Sequence, residues 1–416
     1  MKILFIQHDS FLNGSGGTEK ICSFLANAFS KAGNKVIIAV NQEEGGNPRF
    51  YLEPAVEVQN IYDEKLKLIK VFLWNNYFGS NPMKWLLCKI IKKGKKLGNW
   101  IIQKYYGLSS EGIEFHNLGI RSTHWNQYIH NIQPDIIITM SISSLLEVTF
   151  KNEIEVPIID SINGRPDYDY SDILGCRSLK QMNYLKDSFK YLAGCQVLFE
   201  NYKAYLPDTF KGIARTIPNP LPQYAENNLV NLTIRKSRYK IVHLGALSIT
   251  VKQQDIAIKV FSKVAEDYPE WDLEFWGTGH DEQIIQKFIK RNGLENRVFV
   301  KGFSNHPEEV LKSAEIFIFP SKYEGLPLAL GEAMAIGLPC IGFKSCSGVN
   351  QLIKNNESGF LAEDEDEMVE YLKILMDSAN LRVKMGRCGH EISKGYDRDE
   401  IIKKWKNLVE EVIDVE

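Results

Sequence analysis

Glu324 and Glu332 stand eight positions apart in the phrase PSKYEGLPLALGEAMAIGLPCIGF, residues 320–343. The run before it, EIFIFPS, reads as a short buried parallel strand that stops at Pro320 and Ser321. Pro327 suits the first turn of a helix that Leu328 to Ile336 continues, broken in composition only by Gly331. Glu324 then lies just outside a helix N-terminus and Glu332 in its second turn. The free N–H groups and dipole of such a terminus attract a phosphate, and carboxylates on either side accept hydrogen bonds from hydroxyls. A nucleotide sugar satisfies all three, with its phosphate at the helix end and its sugar and ribose at the two glutamates. On residues alone a surface Glu beside an ordinary helix Glu is the competing reading.

Other residues offer related chemistry. Gly16 and Gly17, followed by Thr18, let a phosphate or an acceptor approach the backbone closely, although a plain flexible turn reads the same way. Lys252 closes a loop between the strand IVHLGAL and the helical QQDIAI, where a cation would stabilise charge on a departing diphosphate; a solvated loop lysine is the alternative. His8 ends the first strand as a titratable group or a structural loop histidine. Asn163, in IIDSINGRPDYDY, can donate a hydrogen bond but cannot serve as acid or base, and Arg165 and Asp167 are close by.

The elements that must position these residues alternate between strand and helix. Lys2 to Gln7 reads as a strand, followed by a Gly-rich loop, a helix from Thr18 to Ala32 stopped by Gly33, and a strand from Val36 to Val40. Further strands fall at Ile136–Thr139, Pro157–Asp160 and Gln196–Phe199. At Tyr239 the pattern restarts: KIVHLGALS echoes KILFIQHDS, and a helix from about Gln254 to Tyr268 leads to the strand LEFWG. The spacing predicts an α/β chain of two doubly wound, Rossmann-like domains, divided near Pro218–Pro222, where three prolines occur in five residues. Ligands bind at the carboxyl ends of such strands, so a cleft between facing strand ends is expected. The last segment, Asp397 to Val415, has apolar residues at Ile401, Trp405, Leu408 and Val412 and reads as an amphipathic helix.

Composition narrows the class. At 416 residues and 44% hydrophobic, the chain exceeds one typical core. A net charge of −2 gives no global attraction to nucleic acid, and seven scattered cysteines without a C-x-x-C pair point to reduced thiols in a cytoplasmic protein. Cys340, in an apolar run, reads as a small buried hydrophobe. No run of about 18 apolar residues and no signal-peptide core is present. Between Lys65 and Ser110, however, stand ten lysines and no acid, interleaved with Trp74, Trp85, Trp100, Tyr105 and Tyr106. Residues 84–106 place Leu86, Ile90, Leu97, Ile101 and Tyr105 at helical spacing, with Gly94 and Gly98 weakening the helix. Such a segment suits an anionic leaflet, or else is a helix with a solvated lysine face; nucleic acid is not expected.

The Pro320–Phe343 phrase resembles the E-x7-E region of the retaining group 1 (family 4) glycosyltransferases, which have the GT-B fold. So do IPNPL at Ile217–Leu221, WGTG at Trp276–Gly279, RVFVKGF at Arg297–Phe303 and NESGFLAEDEDEMVEYLKIL downstream. The resemblance covers nearly the whole chain and is strongest from about Ile217. It implies an acceptor-binding domain at 1–218, a nucleotide-sugar domain at 219–396, and a helix at 397–416 crossing back to the first. It assigns Lys252 and Glu324 to catalysis. Donor binding falls to Gly16, Gly17, Gly245, Lys252, Gly277, Gly279, Phe303, Glu324, Gly325, Leu326, Pro327, Leu328 and Glu332. His8, Asn163 and Arg165 are left as candidates near the donor sugar or acceptor. Two positions depart from the pattern: Ala246 follows Gly245 where many members carry arginine, and Asn163 stands where a histidine is frequent.

The implied reaction moves a hexose or N-acetylhexosamine from a nucleoside diphosphate sugar, UDP before GDP, to a glycan or lipid-linked glycan in cell-surface polysaccharide or glycoconjugate synthesis. The anomeric configuration is retained. Neither metal nor cofactor is expected, since DYD at 167–169 and DED at 364–366 do not read as a cleft metal motif and the second suits a helix cap. The expected location is cytoplasmic or peripheral at the inner face of the membrane. A GT-B phosphorylase or epimerase, or a noncatalytic glycan- or lipid-binding relative, remain the alternatives.

Overall fold

The computed structural model describes residues 1–74, 81–175 and 177–414. Two compact units emerge, one of Met1–Ile217 with Ile402–Glu416 and one of Pro218–Ile401, so the division falls at the first of the clustered prolines.

The first unit carries strands β1 (Lys2–Ile6), β2 (Lys35–Val40), β3 (Val56–Asn60), β4 (Ile136–Thr139), β5 (Ile158–Ser161), β6 (Gly194–Val197) and β7 (Ile213–Thr216). They form one parallel sheet in the order β3-β2-β1-β4-β5-β6-β7. Its helices are α1 (Gly17–Lys31), α2 (Pro82–Tyr106), α3 (Ser110–Ile132), α4 (Ile142–Thr149) and α5 (Leu179–Ser188). Ile3 to Ile6 and Ile136 to Ile138 are fully buried, as central strands covered on both faces must be. β6 starts two residues earlier than the apolar run suggests, because Gly194 pairs with both Ile159 and Ile213. Leu198 and Phe199 are buried beyond the ladder.

The second unit carries β8 (Tyr239–Leu244), β9 (Trp271–Trp276), β10 (Val298–Gly302), β11 (Ile316–Phe319), β12 (Cys340–Phe343) and β13 (Gly359–Ala362), parallel in the order β10-β9-β8-β11-β12-β13. Its helices are α6 (Gln254–Ser262), α7 (Glu282–Arg291), α8 (Pro307–Lys312), α9 (Leu328–Ala335), α10 (Val349–Leu352), α11 (Glu365–Asp377) and α12 (Ala379–Ser393). α13 (Arg398–Ile413) starts in this unit and continues into the first; the expected end at Val415 lies outside the described residues. α6 stops short of Tyr268 because the chain tightens to i→i+3 bonds, Lys263 N–H to Val260 O at 3.3 Å and Val264 N–H to Phe261 O at 3.0 Å.

In each sheet the chain runs outward on one side of a central strand and then restarts on its other side. The strand order therefore reverses between β1 and β4 in the first unit and between β8 and β11 in the second. At such a point the two neighbouring loops diverge and leave a crevice beyond the carboxyl ends of the strands.

Candidate functional site

In the second unit, Lys252 lies in the loop after β8 and Glu324 in the loop after β11, on either side of the reversal. Lys252 Nζ donates to Glu324 Oε1 at 2.5 Å, and both side chains are largely buried. Lys322 N–H donates to Val251 O at 2.8 Å, tying the loops together, and Lys252 Nζ lies 5.2 Å from the centre of the Phe319 ring. Beneath them His243 is fully buried, facing Ile318 O at 3.1 Å and Gln254 Nε2 at 3.3 Å. Burial pushes its imidazole down to about 3, against the bond to Ile318 and with help from the Lys252 charge, so the floor of the site is neutral.

Gly325 and Leu326 follow, and Pro327 stands as the N-cap in extended conformation (ψ 96°), so the helix begins one residue later than the sequence suggests, at Leu328. Glu332 is half-buried in the second turn of α9. Its charge contributes to a Tyr224 hydroxyl pushed up to about 12, chiefly by burial. Ser347 Oγ donates to Glu324 O at 3.2 Å, and a Cβ at Gly348 would sit 2.2 Å from Gly325 O, so the loop holding Glu324 is fixed from behind.

Beside the reversal, three strand ends interlock. Gly245 N–H donates to Trp276 O at 3.0 Å, Leu247 N–H to Thr278 O at 3.0 Å, and Gly277 N–H to Gly302 O at 2.8 Å. Gly277 has φ +141°, and a Cβ there would lie 2.0 Å from Gly245 O; a Cβ at Gly279 would lie 2.3 Å from Leu247 O. The glycines permit backbone to pack on backbone. Phe303, half-exposed, follows Gly302. Ala246 O accepts from Gln254 Nε2 at 2.9 Å, so this position serves the loop through its carbonyl.

The first unit has its own cluster at the β1/β4 reversal. His8 Nδ1 is 2.9 Å from Ser144 Oγ in the first turn of α4, and Ser141 Oγ caps that helix by accepting from Ser144 N–H at 3.1 Å. Burial holds the His8 imidazole below its ordinary range although Glu147 and Asp9 pull it upward. Asn163 Nδ2 donates to Ser161 O at 3.1 Å and Ser161 Oγ at 3.2 Å. Arg165 makes a two-pronged pair with Asp167, at 2.6 and 3.0 Å, and stacks on Tyr168 and Tyr205. Its guanidinium is thus committed to Asp167 and these two rings.

One residue the sequence reading passed over is Glu19, in the first turn of α1. It is buried, accepts from the backbone N–H of Gly16 and from Gln7, and its carboxyl is raised above the ordinary range by burial. The loop of Gly16 and Gly17 therefore already faces a carboxylate: a Cβ at Gly16 would meet Glu19 Oε2 at 2.5 Å. An acid in the first turn directly after Gly-Gly-Thr was the available signal.

The remaining candidates take structural places. Asp364 caps α11 by accepting from Asp366 and Glu367 N–H at 3.0 and 2.9 Å, while Asp167 and Asp169 pair with Arg165 and Arg177. Cys340 is fully buried, and burial raises both it and Cys346, the latter to about 12. Among the described residues no group of three or more His, Cys, Asp or Glu is arranged to hold a metal ion, and no helix is long and apolar enough to cross a membrane.

Residues 225–391 match the family model described as glycosyl transferases group 1. An uncharacterized glycosyltransferase of Haemophilus influenzae is 26% identical over 402 residues, covering 96% of this chain and 97% of that protein. The UDP-Gal:alpha-D-GlcNAc-diphosphoundecaprenol alpha-1,3-galactosyltransferase of Escherichia coli is 35% identical over 117 residues, 28% of this chain and 30% of that protein's length. Among solved structures, a mutant of S. aureus TarM in complex with Fondaparinux, alpha-GlcNAc-glycerol and UDP superposes with a TM-score of 0.71 at 15% identity, over 98% of this chain and 99% of that one. That likeness gives the chain the GT-B fold.

Proposed function

We propose that this chain, of GT-B fold and matching the group 1 glycosyl transferase model over residues 225–391, transfers a hexose or N-acetylhexosamine from a UDP-sugar to a glycan or lipid-linked glycan, with retention and without a metal ion. The observation that carries the reading is the Lys252–Glu324 pair at the β8/β11 reversal, beside the N-terminus of α9. Lys252 and the helix end receive the diphosphate; Glu324 and Glu332 accept hydroxyls of the sugar and the ribose; the loops of Gly245, Gly277, Gly279 and Phe303 receive the base. UDP accompanies the TarM mutant and a lipid diphosphate is named for the E. coli relative, which favours that donor and that acceptor class.

In the step itself the bond between the anomeric carbon and the phosphate oxygen breaks, and its electron pair leaves with the diphosphate. The acceptor oxygen then attacks the oxocarbenium-like carbon from the same face, and its proton passes to the departing phosphate oxygen. The ammonium of Lys252 stabilises the growing phosphate charge in a largely water-excluded loop. The glutamates position the sugar and are not an acid and nucleophile pair. In the first unit, Glu19 at the Gly16–Gly17 loop suits hydroxyls rather than a second phosphate, so that loop, with His8 and Asn163, is assigned to the acceptor or the sugar.

Calorimetric titration with UDP, GDP and their sugars tests the reading. Selective UDP-sugar binding, unaffected by chelator and weakened in Lys252→Ala, supports it. No binding of any nucleotide sugar would overturn it. Sugar phosphate release with inorganic phosphate, or acceptor-free interconversion of the donor, would replace transfer by the phosphorylase or epimerase alternatives.

A further inference from the structure

α2 is a 25-residue helix, and none of its described residues is buried. It is well formed all the same. Asn81 caps its start by accepting from Met83 and Lys84 N–H, and Gly107 ends it in the left-handed conformation. Gly94 and Gly98 do not interrupt it; a Cβ at Gly98 would sit 2.8 Å from the Phe72 ring, so this glycine makes room for a neighbour.

One face of α2 is held and the opposite one is not. Asn99 exchanges two hydrogen bonds with the backbone of Phe72, at 2.8 and 3.0 Å, and Lys95 Nζ donates to Leu73 O at 2.6 Å. The same strap is fixed to α3, where Asn117 exchanges two bonds with the backbone of Ile69 at 2.8 and 2.9 Å. Away from the strap, Leu86, Ile90, Leu97 and Ile101 form a continuous apolar stripe at helical spacing, each more than half exposed. Lys89 and Lys93 flank it, with Lys89 Nζ 3.8 Å from the Trp85 ring centre, and Lys96 stands between the stripe and the strap, its Nζ 5.9 Å from the Trp74 ring centre.

We propose that this outer face of α2 is a membrane-docking surface that lies flat on an anionic lipid leaflet. Its apolar stripe enters the acyl boundary, the lysines meet the headgroups, and Trp85 and Trp100 sit at the level between them. A second copy of this chain is the wrong occupant on charge grounds, since residues 65–110 carry ten lysines and no acid and would face their own like. Nucleic acid offers the charge but no apolar phase for the stripe. The helix spans about 37 Å at 1.5 Å per residue, which makes it a long, shallow contact and not a pocket.

The inference deepens the acceptor reading by bringing the enzyme to the surface where a lipid-linked glycan resides. Docking is measured without donor or acceptor, so it stands or falls separately from transfer. The test is flotation of the purified chain with vesicles of phosphatidylcholine alone and of phosphatidylcholine mixed with phosphatidylglycerol, beside two variants. Expected are binding to the mixed vesicles only, a blue shift of tryptophan emission, and partial release by salt. The Lys89→Glu/Lys93→Glu/Lys96→Glu variant should lose on the order of a hundredfold in partitioning. Ile90→Ser/Ile101→Ser, with every lysine intact, should lose binding as well. Unchanged circular dichroism and UDP affinity show that both variants are folded. No flotation, equal flotation with neutral vesicles, or a self-association that disappears in the same variants would each overturn the proposal.

Discussion

Lys252 Nζ and Glu324 Oε1 are 2.5 Å apart although the residues stand 72 positions from each other in the chain. The pair satisfies a cation and an anion that the β8/β11 reversal would otherwise leave facing one another's loops unpaired. A diphosphate entering this loop competes with Glu324 for the ammonium, while a sugar hydroxyl competes with the ammonium for Glu324. On the proposed function, the resting pair holds the places of the two ends of a nucleotide sugar.

Removing either half should have opposite effects on a bare nucleotide. Lys252→Ala should weaken UDP by about 10–100-fold, the worth of a hydrogen bond to a charged group. Glu324→Gln, which frees the ammonium, should bind UDP more tightly than the parent and yet lower the transfer rate by at least tenfold. Calorimetry with UDP, set beside initial rates with the UDP-sugar, separates the two. Parallel losses in both variants would mean the pair is merely structural.

Gly277→Ala should destabilise the second unit by about 2–4 kcal/mol, since the new methyl would press on Gly245 O in a backbone region unsuited to alanine. Gly293→Ala is the control: it has φ +66° but open space around it, and should cost only roughly 1 kcal/mol. Urea unfolding followed by far-UV circular dichroism measures both. The Gly277 variant should also lose nucleotide affinity, because its neighbour carries the loop that leads to Lys252.

Asp160, at the end of β5, is fully buried; its Oδ1 accepts from Thr139 Oγ1 at 2.5 Å, and Oδ2 has no partner among the described residues. Burial, with Asp169 nearby and against the Thr139 bond, pushes its carboxyl up to about 8 from 3.8. Between those values the folded state holds more protons than the unfolded one, so this group lowers stability as pH rises and adds no further slope above about 8. Asp160→Asn should remove that slope, at most about 1.4 kcal/mol per pH unit. The advantage of the variant over the parent should therefore grow from pH 5 to pH 8 in parallel denaturation curves.

Glu19→Ala should open the Gly16–Gly17 loop to anions. Inorganic phosphate, which the parent loop should disfavour, should then bind at the first turn of α1. Acceptor turnover should fall while the affinity for UDP stays within about twofold, if the loop serves hydroxyls. Phosphate titration monitored by the amide resonances of residues 16–20 checks the first part, and steady-state kinetics in both substrates the second.

Much of this architecture is legible in local pattern. The run from Ile316 to Phe343 announces strand, loop, helix and strand in turn, because each element there is short and punctuated by proline or glycine. The prolines at 218–222 likewise mark the division between units. Contacts between distant segments are not legible in this way. Nothing near Lys252 names Glu324 as its partner, nothing near Arg165 names the distant Tyr205 as a ring for its guanidinium, and Glu19 reads as an ordinary first-turn acid until the loop folds over it. Gly98 shows the converse: a helix breaker by propensity, it is tolerated because the Phe72 ring occupies the space a side chain would take.

The composition of the first unit also sets an order of events. β6 is floored at Gly194 by Leu408 and Val412 of α13, so tightly that a Cβ on Gly194 would lie 2.8 Å from Val412. During synthesis those residues emerge only after all of 218–401, on the order of tens of seconds later at ordinary elongation rates. The unit that begins first is therefore the last to close, and it waits with an uncovered apolar strand while its neighbour is completed. Loss of residues beyond 401 should accordingly injure the half of the protein farthest away in sequence.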